Sequence, residues 1–346
     1  MCNIAGYVGN RSAAPILIDM IKTQEGFNGG YYTGIATIHE GKIYYAKLTG
    51  DTDRLLELTD AASLPGNIGI VHSRTKSGGG DGWAHPFVAY KDGVVETAYV
   101  ANGAAGFFKD RVCEAAEIAS DLERCGYPMN FKLDGVKRPS YPVVEDGRSV
   151  HMSDVMCQLF QRNLDRCGDS VKAIGDAYCE MPGEIVGILL TLSHPDAIVW
   201  SRITKPMFVG FAQDGAYLAS CPIAFPKACG EPQLLPACSS GMVFADHFTS
   251  APYKNAPAKV ADLDAHVRAK MYDLIENALK EGKKTFNDLL KLVRTSWKTD
   301  AECLPDAPVV YDVLYCLYKN AQLNMKTSKV DGVEQGLSAP LTSFYL

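Results

Sequence analysis

The residue best placed for covalent chemistry is Cys2, at the head of the apolar stretch Cys2-Asn3-Ile4-Ala5-Gly6-Tyr7-Val8-Gly9. Removal of Met1 would leave Cys2 with a thiol and a primary amine on adjacent carbons. A free α-amine titrates at about 7.7–8.0, so near neutrality it can act as the base for its own side chain. Three distant features are candidates to complete a site: Arg74 at the end of Ile68-Gly69-Ile70-Val71-His72-Ser73-Arg74, the step Asn102-Gly103, and Asp154. An Asn-Gly step after a strand can aim an amide and a backbone N–H at one point. Each residue also has an ordinary reading. Cys2 fits a core strand, Arg74 a surface ion pair, Asn102-Gly103 a turn and Asp154 a helix cap.

The elements that must position these residues alternate between short strands and helices. Strands are expected at 33–39 and 42–48, joined as a hairpin by Glu40-Gly41, then at 68–74, 94–100, 185–191, 197–201, 207–211 and 216–220. Helices are expected at 14–21, 51–59, 112–125, from Ser153 or Asp154 to about 167, and at 171–181. Gly26 to Gly34 and Gly78-Gly79-Gly80 read as glycine-rich loops, the second at the rim of a site. Pro139 and Pro142 punctuate an irregular stretch between 106 and 150. Hairpins flanked by helices imply an α+β fold with αββα layering rather than a βαβ repeat. Beyond a connection at 246–257, three helical patterns at 263–279, 285–295 and 307–319 precede a small β-wing at 322–331, the plan of a winged-helix-like domain over 258–346.

Composition narrows the function classes. The chain has 346 residues, 47% apolar and 21% charged, with a formal charge of −6. That balance gives no electrostatic reason for a nucleic-acid or anionic-membrane partner, and Lys326 and Lys329 are offset by Asp300, Glu302, Asp306 and Asp331 rather than clustered. Eleven cysteines without a CxxC pair fit reduced thiols in a cytoplasmic protein better than a disulfide framework or a metal site. Neither a dinucleotide-binding nor a phosphate-loop glycine pattern occurs, so no cofactor is expected.

The order of these motifs resembles a known family. Cys2 within MC-x-I-x-GY-x-G, the Gly29–Gly34 segment, His72-Ser73-Arg74, Ala84-His85-Pro86, Asn102-Gly103 and Ser153-Asp154-Val155 are similar to the glutaminase domain of class II glutamine amidotransferases. These are amino-terminal-nucleophile hydrolases, and the likeness runs over about residues 2–245 towards the glutaminase half of glucosamine-6-phosphate synthases. The resemblance implies a four-layer fold and assigns roles. Cys2 would be the nucleophile and its amine the base, with Asn102 and Gly103 as the oxyanion hole. Arg74 would hold the α-carboxylate of glutamine, helped by Ser77, and Asp154 would take the α-ammonium.

Departures from that pattern lie in the loops. Asn3, Ala101, Thr75 and Gly78 stand where the family has glycine, histidine, an aromatic residue and histidine. Isomerase, adenylating and phosphoribosyltransferase domains would each need more chain than follows residue 245. The expected function is therefore hydrolysis of glutamine through a Cys2 thioester, with ammonia passed to a separate synthase or glutamate-synthase-like subunit; a homo-oligomer is a further expected assembly. Two alternatives stay open, a catalytically silent regulatory or assembly subunit and an amidase acting on another amide.

Overall fold

The computed structural model describes residues 2–134 and 141–346. The expectations that Met1 is removed and that Pro139 punctuates a loop fall outside these residues. In chain order, β1 (Asn3–Gly9) leads to α1 (Ala13–Asn28), the hairpin β2 (Tyr32–His39) and β3 (Lys42–Thr49), α2 (Thr52–Leu58) and β4 (Ile68–Arg74). The hairpin β5 (Phe87–Lys91) and β6 (Val94–Ala104) follows, then α3 (Val112–Arg124), β7 (Lys132–Asp134), β8 (Arg148–Val150), α4 (Met152–Cys167) and α5 (Ser170–Glu180). Seven short strands come next: β9 (Glu184–Thr191), β10 (Ile198–Arg202), β11 (Phe208–Ala212), β12 (Gly215–Ala219), β13 (Gln233–Leu234), β14 (Ser239–Val243) and β15 (Ala251–Pro252).

These strands form two large antiparallel sheets, one in the order β13-β11-β12-β1-β4-β2-β3 and the other β15-β14-β10-β9-β6-β5. Successive side chains on a strand point to opposite faces, and β1 is buried on both. Ile4 and Val8 face the second sheet and, with Ile70 and Leu218 of their own sheet, share a core with Ile188 and Ile198 of the facing one. Ala5 and Tyr7 face α1 and pack with Leu17, Met20 and Ile21. On the far side, α3, α4 and α5 cover the second sheet through Leu122, Leu159, Phe160 and Tyr178. The chain is thus a mixed sandwich of two sheets flanked by helices. Each fully buried aliphatic side chain in it contributes about 1.5–3 kcal/mol.

The remainder is a small, largely helical region made of α6 (Ala265–Lys280), β16 (Lys284–Thr285), α7 (Phe286–Ser296), α8 (Asp306–Lys319), β17 (Asn324–Asp331) and β18 (Ser338–Tyr345). Its strands pair in the order β16-β18-β17. A capping box at Thr285 and Asp288 starts α7, satisfying amides that the first turn leaves open. This region shares a core with the sandwich: Phe27 of α1 lies 5.0 Å from the Phe344 ring, and Asn3 Nδ2 donates to Tyr311 Oη at 3.3 Å. Within the stretch 246–257, β15 pairs with β14 and Tyr253 is buried against Ser201.

Two local expectations are corrected. The helix expected at 14–21 runs on to Asn28 and takes up Gly26-Phe27-Asn28 of the glycine-rich segment. Position 26 of this helix takes glycine because the C-terminal hairpin sits directly on it, and a Cβ there would run into the Thr342 hydroxyl. The cap of α4 is neither Ser153 nor Asp154 but His151, whose Nδ1 accepts from Ser153 N at 3.0 Å.

Candidate active site

Strand register brings the candidate residues together. Asn3 lies opposite Ser73 in the β1–β4 pair, so Cys2 sits beside the end of β4, where Arg74 and Thr75 leave the sheet. The second sheet supplies β6, whose end carries Asn102 and Gly103, and His72 Nε2 meets the Ala101 carbonyl at 3.0 Å across the sandwich. Between the two strand ends lies a cleft of about 300 Å³. Cys2, Arg74, Ser77 and Gly103 line it.

Asn102 is fully buried and has two faces to its role. Its Oδ1 accepts from Cys2 N at 2.8 Å. That contact leaves Nδ2 as a donor with no hydrogen-bond partner among the described residues. Buried donors are rarely left in this state in a folded protein. Gly103 follows with φ +150°, a backbone conformation that L side chains rarely adopt, and a Cβ there would strike the Glu184 carbonyl on β9. Only glycine lets β6 run this close to β9. The Cys2 thiol is nearly buried and lies 4.0 Å from Thr75 Oγ1.

Arg74 is 2% exposed and stacks over Tyr32 with its guanidinium carbon 4.7 Å from the ring centre. Its Nη1 donates to the carbonyls of Gly78 and Trp83 at 2.9 and 3.0 Å, and its Nη2 to Tyr141 Oη at 3.1 Å. These contacts engage three of the five N–H donors of the guanidinium and fix its plane. The carbonyl of Gly78 is turned inward by three consecutive glycines of positive φ, Gly78, Gly79 and Gly80. Ser77 Oγ donates to the Thr75 carbonyl at 3.1 Å at the mouth of the cleft.

Asp154 is placed differently from the others. Its carboxylate points away from the cleft into the protein, where Oδ2 accepts from the backbone amides of Asn130 and Phe131 at 2.6 and 3.3 Å. Gln158 Nε2 reaches Oδ1 at 3.4 Å. Burial pushes this carboxyl up to about 7 against the opposing effect of those donors and of Lys47. The residues of α4 that do line the cleft are Met152, Ser153 and Met156.

Sequence reasoning used His72 and His85 only as motif residues and passed over His151; the three form a cluster of which His85 and His151 line the cleft. His72 and His85 stack with ring centres 3.9 Å apart, and His151 meets His85 edge-on at 5.3 Å. Burial, with Arg74 nearby, drives His72 down to about 3 and holds His85 and His151 well below the usual range, so all three are neutral at physiological pH. Such weakly basic rings are poor bases for the Cys2 thiol. Tyr141 and Met152 were also missed, because nothing local in the sequence marks them.

Comparisons with known proteins bear on this arrangement. No protein-family model matches the chain. It is 27% identical over 251 residues to a glutamine–fructose-6-phosphate aminotransferase (isomerizing) of Pyrococcus horikoshii, covering 72% of this chain and 37% of that protein. The same enzyme of Mesorhizobium japonicum is 28% identical over 226 residues, which are 65% of this chain and 32% of that one. The chain thus spans about a third of the length of these curated relatives. Among solved structures, glutamine phosphoribosylpyrophosphate amidotransferase from B. subtilis superposes with a TM-score of 0.57 at 15% identity, over 80% of this chain and 58% of the other. A structure described as the allosteric regulatory enzyme of purine biosynthesis gives 0.58 at 14% identity, over 90% and 63%. These two superpositions concern the fold alone.

Proposed function

We propose, for a chain that carries a class II glutamine amidotransferase domain of the amino-terminal-nucleophile hydrolase type, related to the glutaminase domain of the aminotransferases above, that Cys2 hydrolyses the side-chain amide of glutamine or a close analogue. The observation that carries this reading is the double use of Asn102, one end on Cys2 N at 2.8 Å and the other an unpaired buried donor next to Gly103. With Met1 removed, the Cys2 amine takes the thiol proton and the thiolate attacks the amide carbonyl. The charge that develops on oxygen rests on Asn102 Nδ2 and the Gly103 N–H, and donors aimed at a developing charge in a dry site are worth several kcal/mol. The C–N bond breaks as the α-ammonium gives its proton to the leaving nitrogen, and ammonia departs. Water then loses a proton to the same amine and attacks the thioester. The C–S bond breaks, the acid is released and the thiol is restored.

Arg74 would orient a carboxylate of the substrate with its remaining donors, and Ser77 would sit near it. The neutral histidine wall excludes water without competing for the proton. A separate synthase-type subunit would accept the ammonia, and the region from 258 to 346 would serve that assembly. The order α6-β16-α7-α8-β17-β18, with sheet order β16-β18-β17, supports a winged-helix reading of this region.

The test is intact-mass measurement of the native protein, then reaction with an electrophilic glutamine analogue. Loss of one methionine residue, a single adduct at Cys2 and ammonia release that vanishes in Cys2→Ala are expected. Absence of both adduct and ammonia release in processed protein would refute the proposal.

A further inference from the structure

The cleft holds an asymmetry of charge that bears on its substrate. Among the described residues that line it, Arg74 is the single permanently charged side chain, and none is an aspartate or glutamate. The residues outside the described set, Met1 and residues 135–140, contain no acidic side chain either. The nearby carboxylates among the described residues are engaged elsewhere, including Glu114 and Glu180, which flank Met152 and Met181 in an adjoining cavity and pair with Arg111 and Arg162 at 2.6 Å each. Asp154 is held by the amides of Asn130 and Phe131, and Asp81 accepts from Thr49 N at 2.7 Å. Glu25 is bound by Thr52, and Glu184 pairs with Lys205 at 2.9 Å. The two carbonyls at the Arg74 end, Gly78 and Trp83, already accept from the guanidinium.

The α4 wall of the cleft offers a cation on the substrate no anionic partner, only the neutral Ser153 hydroxyl between two methionines. Met152 and Met156 present one side, and Met181, Pro182 and Ile185 continue it. A primary ammonium bound there would lose water, meet thioethers, methyl groups and at most one neutral hydroxyl, and share the cleft with Arg74. Burying an unpaired charge is costly, and a like charge within the same low-dielectric space adds to that cost. A neutral group at the same place meets neither penalty and leaves Arg74 to the substrate's carboxylate.

We infer that the favoured substrate is a glutarate-type ω-amide that keeps a carboxylate for Arg74 but carries no positive charge at its α-position. This rests on the amide-hydrolase reading above and sharpens it, because L-glutamine itself then becomes the poorer substrate. The neutral α-position arises in two chemical ways, by acylation of the α-nitrogen or by its absence. N-acetyl-L-glutamine and glutaramate, the monoamide of glutaric acid, represent them.

The deciding measurement is kcat/KM for ammonia release from L-glutamine, N-acetyl-L-glutamine and glutaramate, using protein whose processed terminus has been confirmed by mass. At least one of the two uncharged amides should exceed L-glutamine by about tenfold or more, as expected when one substrate leaves a buried charge unpaired. Which of them leads tells whether the apolar wall takes an acyl group. Restoring an acid to the wall should reverse the order: Met152→Asp, or Ser153→Asp should the first variant misfold, should raise the glutamine to glutaramate ratio about tenfold. Turnover of L-glutamine equal to or better than both analogues in the unaltered protein would overturn the inference.

Calorimetric binding of the same three amides to Cys2→Ala separates this inference from the reading beneath it. If no amide is cleaved yet Cys2→Ala prefers an uncharged one, the hydrolase reading fails and the charge argument stands. If amides are cleaved but both measurements favour L-glutamine, the charge argument fails alone. Binding of none of the three overturns it as well.

Discussion

Replacing Asn102 isolates the group on which the proposed chemistry turns. Asn102→Asp keeps an oxygen for Cys2 N, 2.8 Å away, but exchanges the unpartnered Nδ2 donor for a second oxygen. Loss of one oxyanion donor costs roughly 10²–10³ in kcat, or about 2.7–4 kcal/mol of transition-state stabilisation. The new carboxylate faces the same developing negative charge, so Asn102→Asp should fall at or beyond the upper end of that range. Asn102→Ala removes the donor without adding charge, and should lie near the lower end. It also frees Cys2 N from its acceptor, at a net stability cost of about 0.5–1.5 kcal/mol for one hydrogen bond. Kinetics should therefore collapse while the melting temperature moves little. Ammonia release under saturating amide, with the processed terminus of each variant checked by mass, measures this. An Asn102→Asp protein that is correctly processed and retains more than a tenth of kcat would refute the oxyanion assignment.

Three further outcomes follow from the packing. The Asp154 carboxyl is lifted by burial to about 7, against about 3.9 in an unfolded chain, so the folded state keeps a proton that the unfolded state loses and stability falls as pH rises from 4 to 7. Asp154→Asn cannot ionise, so the drop in melting temperature between pH 5 and pH 8 should shrink, though not vanish because Glu25 is also raised to about 7; an unchanged drop would refute the assignment. Gly103→Ala forces a side chain into φ +150° and against the Glu184 carbonyl, which should destabilise by more than about 1 kcal/mol and lower kcat about 100-fold or more; wild-type kinetics would show that β6 can shift. Phe344→Ala should cost about 3–5 kcal/mol in urea unfolding, because that ring fills the shared core against Phe27; a loss below 1 kcal/mol would mean the C-terminal region folds independently.

What the sequence made legible was the part of the site fixed by backbone. Cys2, Arg74 and Asn102-Gly103 each stand at the end of a strand, and a strand end points where the sheet points. Register between β1 and β4 and contact between β4 and β6 then suffice to gather them. The layered sandwich was legible for the same reason, since hairpins of short apolar strands have few other ways to bury both faces. The extension of α1 through Gly26 was not, because the glycine there answers to a hairpin about 300 residues later in the chain that takes the place of a side chain.

The face presented by α4 was the least legible feature and has the largest consequence. Residues four apart share a helix face, so Met152 and Met156 form one stripe and Asp154 and Gln158 another. Amphipathic reasoning turns the polar stripe towards a solvent-filled cleft and the methionines inward. Here the order is inverted. The backbone amides of Asn130 and Phe131 and the carbonyl of Val88, which accepts from Gln158 Nε2 at 2.9 Å, offer the polar stripe a full set of partners inside the protein. Those partners lie in loops and strands far away in sequence, so no local pattern announces them. A buried carboxyl so satisfied has no reason to turn outward, and the methionines are left to face the substrate. The residue that resemblance assigned to an α-ammonium thus holds two backbone amides, and the charged group left lining the cleft among the described residues is Arg74, opposite a methionine-flanked wall.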